Sequence, residues 1–298
     1  MNISFLMLII VCCNLFVSCY DSNKELLDEY NENEYIETPT ISLKKTDMLV
    51  LPKAELIYRL EGFYEGNYAQ GIAIYKNILF FFNHGGHCRL VDLSEKKIVG
   101  EYDLDTKSEY NHVNNANFSQ KFIENNKYPL IYISECKGDG RCFVEQLSDE
   151  TSVLVQTISL HSNFNCNLSN WILDEKNKKL YLLRYSDEKT GTICMFDEFN
   201  LPSLMNKHIV LSSEDVVRRY SFEYVIWQGA VFRNGYLYLV YGNDITERGI
   251  MVINFEDKLY CDYNFTHVIK EEAEGIGFWN EEVIVTTING YVYRMQMN

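Results

Sequence analysis

From residue 51 onward the chain alternates short runs of strand-forming residues with turn signals, and one such unit is written more than once. Tyr68-Ala69-Gln70-Gly71-Ile72-Ala73-Ile74-Tyr75 is followed by Asn77 and an apolar return over residues 78–82. The same order recurs as Trp227-Gln228-Gly229-Ala230-Val231-Phe232, then Asn234-Gly235, then residues 236–240. A worn copy runs Glu274-Gly275-Ile276-Gly277-Phe278, Asn280, and residues 282–285. In each, a polar residue opens a strand, a turn follows, and a β-rich strand comes back. No long segment carries the 3.6-residue period of an amphipathic helix. The 22 Tyr, 17 Phe and only 4 Pro of the chain favour strands throughout. Self-similarity at this period is the signature of a solenoid, a propeller or an array.

Dividing the chain at the repeat decides among these. The first unit runs from Gln70 through 78–82, 88–93 and 98–104, four strands in all. The second opens at 112–118 and continues through 130–134, 141–147 and 153–158. The third takes 170–174, 180–183 and 192–196, and the fourth runs from Gln228 to about 263. The fifth opens at Glu274 and has room for three strands only, and residues 54–60 supply the missing one from the other end of the chain. Closure by a terminal strand removes an open edge that would otherwise recruit other chains. Gly71, Asn115, Trp171, Gly229 and Gly275 mark equivalent positions, spaced by roughly 44, 56, 58 and 46 residues. The expectation is an all-β chain with a β-propeller over residues 51–298, five blades of four antiparallel strands closed by the N-terminal strand. A sixth blade inside residues 197–226 is the alternative.

The N-terminus reads differently. Residues 3–17 form an apolar run too short for a membrane span of about 20 residues but suited to a signal segment. It ends in Leu15-Phe16-Val17-Ser18-Cys19, which resembles a bacterial lipobox. That resemblance implies a signal peptide over 1–18 and a lipidated Cys19. Residues 19–50 read as a flexible tether, with seven acidic residues between Asp21 and Glu37. The implied location is the bacterial outer membrane, lipid-anchored and facing the periplasm or the exterior. An ordinary secretory signal or an uncleaved anchor is the alternative, and each leaves the body outside the cytoplasm. The net charge of −15 excludes nucleic acid and anionic membrane surfaces as partners.

In a propeller the first strand of each blade lines the axis, so the residues opening the repeats converge at one mouth. Gln70, His112, Asn115, Trp171, Gln228 and Glu274 are the resulting candidates. Each has a plain structural reading as well: a polar residue before Gly at a strand start satisfies backbone groups and permits close packing. Trp171 and Trp227 offer stacking area of the kind sugars and peptides use. These residues point to a binding or scaffold protein for a glycan, a peptide or a partner protein. The alternative is an enzyme on the same scaffold, a lyase, hydrolase or cyclotransferase, with Glu274 or His112 as general acid or base. Glycosidase chemistry would need a second carboxylate beside Glu274, and no other repeat opening supplies one.

No cofactor and no metal ligand set is read from the sequence. His84-Gly85-Gly86-His87-Cys88 gathers imidazoles and a thiol in no standard zinc spacing and reads as an exposed turn. Cys136 and Cys142 flank the turn Lys137-Gly138-Asp139-Gly140-Arg141, where a disulfide or two free thiols are equally compatible with the spacing. Cys88, Cys166, Cys194 and Cys261 read as buried thiols.

Tyr68-Ala69-Gln70-Gly71-Ile72 and the late Glu274-Gly275-Ile276 resemble the early and closing strands of the plant-type glutaminyl cyclase propellers. The resemblance implies a five-bladed ring and a cyclotransferase alternative for the mouth. The chain departs from that family at Phe81-Phe82-Asn83-His84-Gly85, where the family has Tyr-Glu-Ser-Thr-Gly and thus an acidic residue. In repeat style, residues 60–298 also resemble uncharacterised β-propeller lipoproteins of the Bacteroidetes.

Overall fold

A computed structural model describes residues 38–46, 52–62, 68–109, 111–123, 126–162, 164, 166, 168–186 and 193–297. The expected signal segment, Cys19 and the tether as far as residue 37 lie outside them. Within the described residues five small sheets form a closed five-bladed propeller. Blade 1 is Ala69–Tyr75, Ile78–Asn83, His87–Asp92 and Lys97–Asp103, from axis to rim. Blade 2 is Val113–Phe118, Leu130–Glu135, Cys142–Leu147 and Ser152–Leu160. Blade 3 is Asn170–Asp174, Lys179–Tyr185, Ile193–Asn200 and Val216–Glu223. Blade 4 is Trp227–Arg233, Tyr236–Tyr241, Gly249–Asn254 and Leu259–Asn264. Blade 5 is Ala273–Trp279, Glu282–Thr287 and Tyr291–Gln296, completed by Lys53–Arg59, which pairs antiparallel with Tyr291–Gln296.

The ring is held by one apolar cluster between each pair of neighbouring blades. Phe80, Phe82, Ile131 and Phe143 fill the seam of blades 1 and 2; Val144, Trp171, Leu180 and Phe199 fill that of blades 2 and 3. Phe196, Tyr220, Leu239 and Phe255 join blades 3 and 4, Ile250 and Val285 join 4 and 5, and Ile72, Phe81 and Ile284 join 5 and 1. Strands that alternate faces present one apolar row to each neighbour, so every blade is buried on both sides.

The stretch at 197–226 holds no sixth blade. Its first residues finish the strand Ile193–Asn200, and Val216–Glu223 is the rim strand of blade 3. Between them His208–Leu211 reaches back and adds a parallel fifth strand to blade 2. That excursion accounts for the long spacing between the third and fourth repeats.

The described part of the segment expected as tether is not solvated chain. Thr40–Ser42 pairs parallel with Val216–Glu223, and Lys44–Lys45 pairs parallel with Leu259–Asn264. Leu43, between them, donates its N–H to Ser221 O at 2.8 Å and buries its side chain in the seam of blades 3 and 4. The apolar alternation Ile41, Leu43 supplied that face, where the acidic run before it offers nothing to bury. These residues cap the rims of two blades.

Candidate functional site

The inner strands approach so closely at the axis that two positions accept only glycine. A Cβ on Gly71 would lie 2.8 Å from Asn115 N, and one on Gly229 would lie 2.8 Å from Glu274 O. Just before these glycines the pairing with the second strand slips. Register shifts fall between Ala69 and Ile72, Val113 and Asn115, Trp227 and Ala230, and Ala273 and Gly275. Each is a β-bulge, a device that bends the strand and re-aims a side chain. The residues carried there are Gln70, Asn114, Gln228 and Glu274. In blade 3 the equivalent residue is Asn170, paired without a shift to Leu183.

Below this level the axis is closed by a polar plug. Asn115 donates from Nδ2 to Trp171 O at 2.9 Å and accepts at Oδ1 from Ala230 N at 3.0 Å, joining blade 2 to blades 3 and 4. Asn117 repeats the bridge, accepting from Leu173 N at 3.1 Å and donating to Ala230 O at 2.9 Å. Asn115 was expected at the mouth; its amide is consumed by these backbone groups, so it belongs to the plug. Trp171 was expected there too. It is 1% exposed, packs against Phe199 and donates from Nε1 to Gly140 O at 2.8 Å. Trp227 is likewise buried, stacked on Tyr185 at 5.4 Å. Neither indole is available to a ligand.

Above the plug a cavity of about 430 Å³ opens, lined by Tyr68, Gln70, His84, His112, Lys137, Gln228, Glu272, Glu274 and Ile288. Of the sequence candidates the structure therefore brings together Gln70, His112, Gln228 and Glu274. It adds His84, Lys137 and Glu272, which the sequence reading did not place there. His84 is turned inward from a turn expected to be exposed, and its Nδ1 meets His112 Nδ1 at 2.6 Å. His112 holds a backbone φ of +46°, a region that a residue with a Cβ enters only under constraint. Gln228 donates from Nε2 to Glu272 Oε1 at 2.8 Å, and Glu272 N donates to Asp244 Oδ1 at 3.1 Å.

The electrostatics follow from burial. Glu274 is held well above the ordinary carboxyl range by burial and then by the Glu272 carboxylate, with Gln70 acting the other way. Its Oε2 is buried without a hydrogen-bond partner. Glu272 is raised by burial and by Asp244. His112 is lowered to about 3 by burial, by the Lys137 charge and by His84. His84 is lowered by burial and by Lys137. Near neutral pH the pocket thus presents two uncharged imidazoles and a carboxyl biased toward its protonated form, facing the Lys137 side chain. Charge on any of these three would be desolvated, which disfavours the charged form of each.

Cys136 and Cys142 are free thiols. Cys142 lies opposite Ser134 and packs in the seam of blades 2 and 3, while Cys136, just past the end of the strand Leu130–Glu135, packs in the seam of blades 3 and 4. The two side chains serve different clusters, so the disulfide expected as one option is not formed.

A second opening of about 500 Å³ lies at the far end of the inner strands, lined among others by Ile74, Phe118, Phe232, Arg233 and Phe278. Among the described residues no group of three or more His, Cys, Asp or Glu side chains is placed to hold a metal ion.

Fold and pocket together define a five-bladed β-propeller with a polar mouth at one end of a plugged axis. No protein-family profile matches the chain, and no curated protein matches it in sequence. Among solved structures, a glutaminyl cyclase from Myxococcus xanthus is similar with a TM-score of 0.48 and 12% identity, over 87% of this chain and 98% of that one. A protein of unknown function from Bacteroides thetaiotaomicron is similar with a TM-score of 0.45 and 11% identity, over 82% of this chain and 76% of that one.

Proposed function

We propose that this is a lipid-anchored extracytoplasmic propeller that takes a small polar ligand, or the end of a peptide, into the mouth above the plug. The supporting observation is the convergence of Gln70, His84, His112, Lys137, Gln228, Glu272 and Glu274, from four of the five blades, on one cavity of about 430 Å³. That size lies within the range of small-molecule sites. A hydrogen-bonding ligand fits better than a stacked sugar, because both tryptophans that would have supplied stacking are buried. A folded partner cannot enter, though an extended terminus can.

A second reading, an enzyme of the same mouth, is favoured by one arrangement. Glu272 and Glu274 share the cavity with the His84–His112 pair, so two carboxyl groups and two imidazoles face the same volume. General acid–base catalysis needs groups of this kind within reach of one substrate.

Glu274→Gln separates the two. It keeps a neutral hydrogen-bonding group of the same shape but has no proton to transfer. Incubation of the chain and the variant with a panel of short peptides and oligosaccharides, followed by mass spectrometry and calorimetry, reads both activities. A binding protein returns every ligand unchanged and binds it in both forms. Altered ligand with the natural chain alone establishes the enzyme. Absence of any binding in either form overturns both readings.

A further inference from the structure

Burial orders the residues of the mouth by depth, and their chemistry changes with it. Gln70 and Glu274 form the floor, each 3% exposed. Glu272 is half-buried. Lys137 is exposed, on the turn between Leu130–Glu135 and Cys142–Leu147, and marks the rim. The cavity is therefore acidic at depth and basic at its edge.

The floor offers acceptors. Gln70 Nε2 donates to Ala69 O at 3.0 Å, an atom that only accepts, so the amide nitrogen is committed there. Gln70 Oε1 and Glu274 Oε2 are buried without a hydrogen-bond partner, and no other side-chain atom of the described cavity lining shares that state. Glu272 gives one of its oxygens to Gln228 Nε2 at 2.8 Å. Buried acceptors left open are costly, so the group that fills the floor is a donor. It also carries positive charge. Glu274 is raised by burial and by Glu272, and Glu272 by burial and by Asp244, so carboxyl groups crowd one side of the cavity. Arg248, near Glu272, spends its guanidinium on the Asn243 and Ile269 carbonyls and does not line the cavity.

We propose, on the footing that the mouth is the ligand site, that it takes a guanidinium at Gln70, Glu272 and Glu274 and holds a carboxylate of the same ligand at Lys137, as free arginine or the C-terminal arginine of a peptide would supply. A guanidinium has N–H donors and no acceptor, which matches a floor whose open atoms only accept. It is planar, pairs with carboxylates and is more weakly hydrated than an ammonium, so it enters a buried site at lower cost. Tyr68 and Ile288 add apolar surface to the lining for the methylenes between the two charged ends. The exposed Lys137 leaves the carboxylate end near solvent, where a peptide chain can lead away.

The test titrates the full chain calorimetrically with L-arginine, and with three analogues that each change one feature. L-citrulline keeps the shape without the charge, L-lysine replaces the guanidinium by an ammonium, and L-argininamide lacks the carboxylate. Arginine is expected to bind saturably at one site, with each analogue weaker by about tenfold or more. Lys137→Gln is expected to weaken arginine by about tenfold or more and leave argininamide unchanged, so the preference for the free carboxylate disappears. Glu272→Gln weakens both. A short peptide ending in arginine, compared with its C-terminal amide, distinguishes the two sources: tighter binding of the peptide acid than of free arginine assigns the site to peptide ends, and the reverse assigns it to the amino acid. Citrulline binding as well as arginine, or an arginine preference over argininamide that survives Lys137→Gln, overturns the proposal. Failure of both arginine and the peptide acid to bind overturns it too. If other peptides or oligosaccharides still shift the mouth residues in that case, the mouth reading stands without it; arginine-induced shifts at Phe118, Phe232 and Phe278 instead would sink both.

Discussion

His84 Nδ1 and His112 Nδ1 face each other at 2.6 Å across the junction of blades 1 and 2. At that distance one ring donates and the other accepts, so protonating both would place two donors in contact. The neighbouring Lys137 adds to the penalty, as it lowers both imidazoles. In the unfolded chain the imidazoles titrate near 6.5. The unfolded state therefore binds more protons than the native state as pH falls below about 6.5, and this pair costs stability through the window down to about 3 for His112. Lys137→Ala is expected to move both imidazoles upward toward 6.5. Proton NMR titration of the imidazole C–H signals measures it, and unchanged midpoints would show that Lys137 does not act on the pair.

The plug makes a separate prediction. Asn115→Ala leaves Trp171 O and Ala230 N buried without their side-chain partner. Two such groups cost about 2–6 kcal/mol. Chemical denaturation should show that loss with no change in ligand binding at the mouth. A neutral substitution would mean that the axis is wet at this level.

Leu43 is the anchor of the segment that caps blades 3 and 4. Leu43→Ala should cost about 2–4 kcal/mol as a buried large-to-small change. Removing residues 1–46 altogether exposes the rim strands Val216–Glu223 and Leu259–Asn264, and concentration-dependent association by light scattering is the expected result. A truncated chain that stays monomeric and as stable as the whole would show that these strands are dispensable.

The cysteines supply a chemical check. Burial pushes the Cys136 thiol up to about 12 and raises Cys142 as well. Alkylation of the native protein should leave both unmodified, and both should react after denaturation without prior reduction. Protection of the pair after denaturation, relieved by a reductant, would reveal a disulfide.

Much of the fold was legible because the repeat carries both its turns and its strand openings in sequence. The blade count and the closing role of residues 53–59 follow from counting strands. His208–Leu211 was not legible, since a four-residue edge strand that returns to an earlier blade leaves no local trace. At the site, Gln70, Gln228 and Glu274 were found because a following glycine marks them. Asn115 and Trp171 were chosen because they stand in register with those glycines. A residue earlier lies the true equivalent, Asn114 or Asn170, and adjacent strand residues face opposite ways. Aligning the five openings on the residue before the anchor would have recovered the five equivalent positions. His84, Lys137 and Glu272 had no such signal, because hairpin turns within blades 1 and 2 bring the first two to the mouth and the loop between blades 4 and 5 brings the third.

The mouth above the plug is the proposed meeting place of this protein and its ligand. Backbone NMR shift mapping against a panel of short peptides and oligosaccharides tests it most directly. Saturable shifts confined to the neighbourhood of Gln70, His84, His112, Gln228 and Glu274 are expected. Shifts centred instead on Phe118, Phe232 and Phe278 at the opposite opening would contradict it.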